Sequence, residues 1–158
     1  MPKNKFQDVI FTILMAAVMV YGMVCYNIAL NIGGLNDAVF GMALGEWPIM
    51  TLAAVLLELI FVGRLSKIVA FRLVDPATSG STPIMLAISA ASVWMMCPCM
   101  SFIATMLFKG GIQPGVFSTW VQTAALNFPM ALLWQFFVAG PLVRLIFRLI
   151  FREKKVKE

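Results

Sequence analysis

The stretch from Met19 to Lys67 recurs from Met96 to Arg144. A shift of 77 positions (96 − 19) carries Met19 onto Met96, Met23 onto Met100, Gly33-Gly34 onto Gly110-Gly111 and Val39-Phe40 onto Val116-Phe117. It also carries Gly63-x-Leu65 onto Gly140-x-Leu142 and Lys67 onto Arg144, all without a gap. A repeat that keeps one register is one supersecondary unit written twice. Each unit holds two apolar runs separated by a glycine-containing turn, so the chain should fold as two tandem helical hairpins.

The surroundings of those hairpins follow from composition. Of 158 residues, 61% are hydrophobic and 12% charged, too little polar surface to cover a water-soluble domain. A bilayer is the expected partner. The formal charge of +5 sits at the ends of apolar runs and on no folded polar face, so nucleic acid is excluded as a partner. Cys25, Cys97 and Cys99 all lie inside apolar runs, which argues against a disulfide framework. The sequence has no histidine, the residue that most often shuttles protons near neutral pH.

Four spans are expected. The first is the uncharged run from Val9 to Ile32, about 36 Å as a helix and long enough to cross a hydrocarbon core. Asn31 to Trp47 carries turn formers and two acids. The second span should begin near Trp47-Pro48, an interfacial aromatic beside a helix-starting proline, and end before Arg64, Lys67 and Arg72. Asp75 to Pro83, reading DPATSGSTP, is a linker. A third span covers Ile84 to Phe108, a second turn lies at Pro114-Gly115, and a fourth span lies within Val116 to Val143. Arg144, Arg148 and Arg152 then recur along one side of a continuing helix, suited to a headgroup surface. The domains are thus a first hairpin (residues 1–74), a linker (75–83), a second hairpin (84–151) and a basic tail (152–158).

Lys109 alone falls on one side of these spans; Lys3, Lys5, Arg64, Lys67, Arg72, Arg144, Arg148, Arg152 and the tail lysines fall on the other. The positive-inside rule then places both termini and the linker in the cytoplasm. Both hairpins point the same way, so their symmetry axis should lie along the membrane normal, unlike the inverted repeats of many transporters.

Phe117-x-x-Trp120, Asn127-Phe128-Pro129 and Gly140-Pro141-Leu142-Val143-Arg144 resemble the bacterial membrane family known as domain of unknown function 2798. Its members are short hairpins or tandem hairpins. The second repeat is the better match; in the first, Arg64 and Ser66 stand where the motif has proline and valine, and Ala43 stands where it has tryptophan. The resemblance implies an integral protein of the bacterial inner membrane with no assigned activity. In size and duplication the chain is also similar to four-helix drug-efflux proteins. Their acidic residue lies in the first helix, and Val9 to Ile32 contains none.

Glu58 is the acid placed deepest in a span. A carboxylate near the middle of a membrane helix costs about 2.5–3.5 kcal/mol, so it should face the bundle interior, be paired or be protonated. The repeat maps it onto Gln135, which has similar hydrogen-bonding reach without charge. Asn27 extends a stripe of Met15, Met19 and Met23 along the first helix, and Asn127 could satisfy backbone groups freed by Pro129. These four polar residues mark a candidate pathway; a purely structural alternative makes them interhelical hydrogen-bonding residues. Met96-Cys97-Pro98-Cys99-Met100 is similar to the Cys-Pro-Cys ion site of copper-transporting P-type ATPases, and soft sulfur ligands suit Cu(I). Cys97 and Cys99 point about 200° apart on an ideal helix, so sharing an ion requires Pro98 to loosen the turn. No nucleophile-base pair or phosphate-binding loop is present, so neither an enzyme nor a cofactor is expected. The expected function is a small carrier for a proton, ion or solute, working as a homo-oligomer; the alternatives are a membrane scaffold and a Cu(I)-handling protein.

Overall fold

The computed structural model describes residues 5–75 and 80–151. Lys3, residues 76–79 of the linker, Arg152 and the basic tail lie outside the described residues. Within them the fold is all-α. Helix α1 (Lys5–Ile32) is followed by a second span made of α2 (Asp37–Leu57), a π-helical turn (Glu58–Val62) and α3 (Gly63–Leu73). Helix α4 (Ser81–Phe108) is the third span. The fourth comprises α5 (Val116–Leu133), a second π turn (Trp134–Ala139) and α6 (Gly140–Ile150). All four spans are long and apolar enough to cross a membrane.

The turns form as their glycines dictate. Gly33 adopts φ 83° and Gly34 N–H reaches back to the Ala29 carbonyl at 2.9 Å, a Schellman closure that needs a left-handed residue. The second span starts a full ten residues before Trp47-Pro48. Asn36 caps it by accepting the Val39 amide at 3.2 Å, and Asp37 complements the positive end of the helix dipole. Pro48 therefore lies inside α2, its ring on the exposed side. Trp47 also turns inward: its Nε1–H donates to the Ala17 carbonyl at 2.9 Å and its ring packs edge-on against Tyr21.

The spans form a ring. Helix α1 packs on the second and fourth spans, and so does α4, while α1 and α4 face each other across the centre without close packing. Small side chains point inward and large ones outward: Ala54, Ala70, Ala131 and Ala139 are buried, whereas Leu52, Ile60, Phe61 and Phe137 are exposed. That is the distribution expected where lipid replaces water.

The π turns have a geometric purpose. The inward residues of the second span, Ala54, Val62, Ser66 and Ala70, and those of the fourth, Ala131, Gln135, Ala139, Val143 and Phe147, follow a four-residue spacing. In an unbroken α-helix that spacing gains about 40° per step, roughly 160° from first to last, and would carry the row half-way round the helix. A π turn absorbs one extra residue and takes back about 100°. One face thus stays turned to the centre over the whole span.

Candidate functional site

A cavity of about 550 Å³ occupies the centre of the ring. All four spans line it, and most of the lining comes in pairs related by the 77-residue shift: Thr12 with Ser89, Met15 with Ser92, Met19 with Met96, Met23 with Met100, Ala54 with Ala131 and Glu58 with Gln135. It reaches from Asp8, Arg64 and Lys67 near the ends that carry the chain termini to Asn31, Glu46 and Lys109 near the two glycine turns. It extends over the roughly 35 Å between Asp8 and Asn31, and its volume of about 550 Å³ lies within the range of sites for small ligands.

Glu58 opens the first π turn, and Gln135 is the second residue of the other. Each π turn closes by a bond from a glycine amide to the carbonyl five residues back, Gly63 to Glu58 and Gly140 to Gln135. A methyl group on either glycine would stand 2.7 Å from the Glu58 carbonyl oxygen or 2.8 Å from that of Gln135, so glycine is what the turn requires. Pro141 follows the second turn but Arg64 follows the first, which rules out proline as the shared cause. Glu58 is half-buried, with Asp8 and Lys67 within electrostatic reach. Gln135 is buried and donates through Nε2 to the Met15 sulfur at 3.7 Å.

Asn27 and Asn127 also line the cavity, with Met15, Met19 and Met23. Asn27 spends its amide on its own helix, donating to the Met23 carbonyl at 2.9 Å. Asn127 does not serve the backbone freed by Pro129. Its Nδ2 donates across to Ser101 Oγ on α4 at 3.3 Å, and its Oδ1, in a residue only 4% exposed, has no partner. Leaving a buried acceptor unsatisfied costs roughly 1–3 kcal/mol.

The profile of domain of unknown function DUF2798 matches the chain twice, at residues 4–74 and 84–151. The chain belongs to the DUF2798 family. It is 33% identical over 150 residues to "Uncharacterized protein YybC" of Bacillus subtilis (strain 168), covering 93% of this chain and 92% of that one. No solved structure matches it. The two matched segments make this DUF2798 chain a tandem copy of one hairpin, and its cavity lies between the copies.

The sulfur groups separate. Cys97 lines the cavity of this DUF2798 protein with Met96 and Met100, while Cys99 does not. Helix α4 continues as an α-helix through Pro98, with the Trp120 indole bonded to the Pro98 carbonyl at 2.9 Å, so the turn is not opened to bring both thiols together. Among the described residues, no three histidine, cysteine or acidic side chains gather at one point. Of the basic residues expected at an interface, Arg64, Lys67, Arg72 and Arg148 are exposed and Arg144 is half-buried.

Lys109 at the turn end donates to Thr123 Oγ1 at 3.0 Å, and burial pushes its ammonium pKa down. The folded state thus binds its proton less readily than the unfolded chain. The resulting penalty is complete below the folded pKa and vanishes as pH rises to the ordinary value of about 10.4. Wild type should therefore gain thermal stability relative to Lys109→Gln as pH is raised through that window in detergent. A difference that stays constant with pH would show that Lys109 is solvated.

Sequence reasoning paired Glu58 with Gln135 and found the methionine stripe. It missed the π turns, Glu46 and the cluster around Ser101. The matched glycines Gly63 and Gly140 were the available signal for the first.

Proposed function

We propose that this DUF2798 protein is a small carrier for a proton, ion or small solute, with Glu58 and Gln135 lining its path. The supporting observation is the central cavity, which runs from one end of the ring to the other and is bordered by both residues. An intramembrane carboxyl facing such a cavity is a natural site for proton or cation exchange. In this reading the protein lies in the bacterial cytoplasmic membrane with both termini in the cytoplasm, in keeping with its many basic residues at that end. The halves are related by an axis along the membrane normal, a reading supported by α1 lying opposite α4 and the second span opposite the fourth. Assembly into a homo-oligomer belongs to the proposal as lateral support for a slender four-helix ring; a monodisperse monomer in nanodiscs would remove that part.

The test is flux in proteoliposomes with a trapped pH dye under an imposed proton or cation gradient. Wild type should dissipate the gradient faster than protein-free vesicles, and Glu58→Gln, which makes the two halves alike at this position, should slow it at least tenfold. Wild-type vesicles no leakier than empty ones would end the carrier reading. Unchanged flux in Glu58→Gln at every pH would remove Glu58 as the coupling group.

A further inference from the structure

Four buried positions of the second repeat, three of them lining the cavity, are polar where their counterparts in the first repeat are apolar. Cys97, Ser101, Thr105 and Asn127 correspond, by the 77-residue shift, to Val20, Val24, Ile28 and Met50, and all eight are buried. A valine, valine, isoleucine and methionine already fill this environment, so packing alone does not call for the polar set. The repeat is a built-in control: the polar side chains were placed in one half only.

Their hydrogen-bonding capacity is one-sided. Thr105 Oγ1 donates to the Ser101 carbonyl at 2.8 Å, Cys97 Sγ donates to the Ala124 carbonyl at 3.8 Å, and Asn127 Nδ2 donates to Ser101 Oγ. The Ser101 hydroxyl is paired with the Cys97 thiol, so each of these donor groups has a protein partner, whereas Asn127 Oδ1 receives nothing. A species that completes the cluster must bring donors or positive charge. Of the cavity's carboxylates, Glu46 and Glu58 flank this level, because position 50, the counterpart of Asn127, lies between them along the second span. The opposing charges are Lys109, held at the turn-end mouth by Thr123, and Arg64 and Lys67 at the far end. Methionine and cysteine sulfurs add polarizable, weakly accepting groups to a wall that is otherwise mainly apolar.

We infer that Asn127 and Ser101 form a binding site for one small monovalent cation, ammonium or an alkali-metal ion, in the second-repeat half of the cavity. Asn127 Oδ1 is the principal ligand and turns onto the ion by rotation of its amide; Ser101 Oγ supplies a second oxygen. This rests on the carrier reading and names the class of its cargo.

The experiment is equilibrium binding to the full chain in nanodiscs, titrated separately with ammonium, potassium and sodium chloride, with choline chloride as the ionic-strength control. Tryptophan fluorescence is a suitable readout, since Trp120 is bonded to Pro98 beside Cys97. At least one of the three salts should saturate with single-site stoichiometry, and which one does so separates ammonium from alkali ions. Asn127→Met and Ser101→Val install residues that the first repeat already packs at these positions, and each should weaken binding at least tenfold. The reciprocal Val24→Ser/Met50→Asn protein should bind two ions in place of one. If the Asn127→Met protein fails to fold, the reciprocal variant decides alone. Titrations indistinguishable from choline, undiminished affinity in Asn127→Met, or unchanged stoichiometry in the reciprocal variant would overturn the site. Binding that survives while Glu58→Gln leaves flux untouched would preserve the site and discard the proton-coupled step, so the two readings fail separately.

Discussion

Gly22→Ala should destabilise the protein by about 1–3 kcal/mol, the cost of overfilling a packed contact. The added methyl would overlap the Trp134 indole, which lies against Gly22 and donates Nε1–H to the Val18 carbonyl at 3.2 Å. Moving the ring aside forfeits that bond, worth about another 1 kcal/mol. At the adjacent residue Trp47 donates to the Ala17 carbonyl, so α1 is held at mid-height by indoles from the second and fourth spans. The repeat supplies the rescue. Position 134 corresponds to Leu57 and position 22 to Cys99, a pairing of larger with smaller partner in the other sense. Trp134→Leu in the Gly22→Ala background should recover at least 1 kcal/mol, a coupling of the size seen between contacting residues. Thermal unfolding in detergent measures all four corners of the cycle. Equal stability of Gly22→Ala and wild type would show that the indole does not rest there.

Gly140→Ala and Gly63→Ala make a prediction in which the sign is decisive. In the interior of an ordinary α-helix, exchanging glycine for alanine gains up to about 1 kcal/mol. In these π turns the new methyl would meet a carbonyl oxygen at 2.8 Å for Gly140 and 2.7 Å for Gly63, and relieving the overlap requires the turn to open. Each substitution should therefore lower stability by about 1–3 kcal/mol. Chemical unfolding in mixed micelles distinguishes the alternatives: a stabilised variant at either position would mean that the helix there has a regular α pitch. The consequence for the cavity is larger than the energy. Without the extra residue the wall beyond the turn rotates by about 100°, and Ser66 or Val143 leaves the inward face.

Much of this was legible from residue patterns, and the misses share a cause. Runs of apolar residues fix the four spans, and Gly33 and Gly110 fix where they reverse. The stripe of Met15, Met19, Met23 and Asn27 does face the cavity. Trp47-Pro48 misled because proline is favoured in the first helical turn, whereas the Asn36-Asp37 cap starts the helix earlier. The π turns escaped because helical-face reasoning assumes a constant 100° per residue. Under that assumption Ala54, Glu58, Val62, Ser66 and Ala70 drift around the helix and do not read as a face. The partner of Asn127 was out of reach for another reason: Ser101 lies 26 positions away and is brought close only by packing of α4 against α5.

The position of the cavity between the two copies has a consequence for symmetry. A single hairpin could enclose such a space only by meeting a second identical molecule, and every wall residue would then appear twice. A pair of first hairpins would set two carboxyls against each other at the level of Glu58, and a pair of second hairpins two amides at the level of Asn127. Joining the hairpins in one chain lifts that obligation and allows an acid to face an amide, and a polar cluster to face an apolar one. Fusion thus turns a two-fold interface into a directional one, whose two sides can evolve separate tasks.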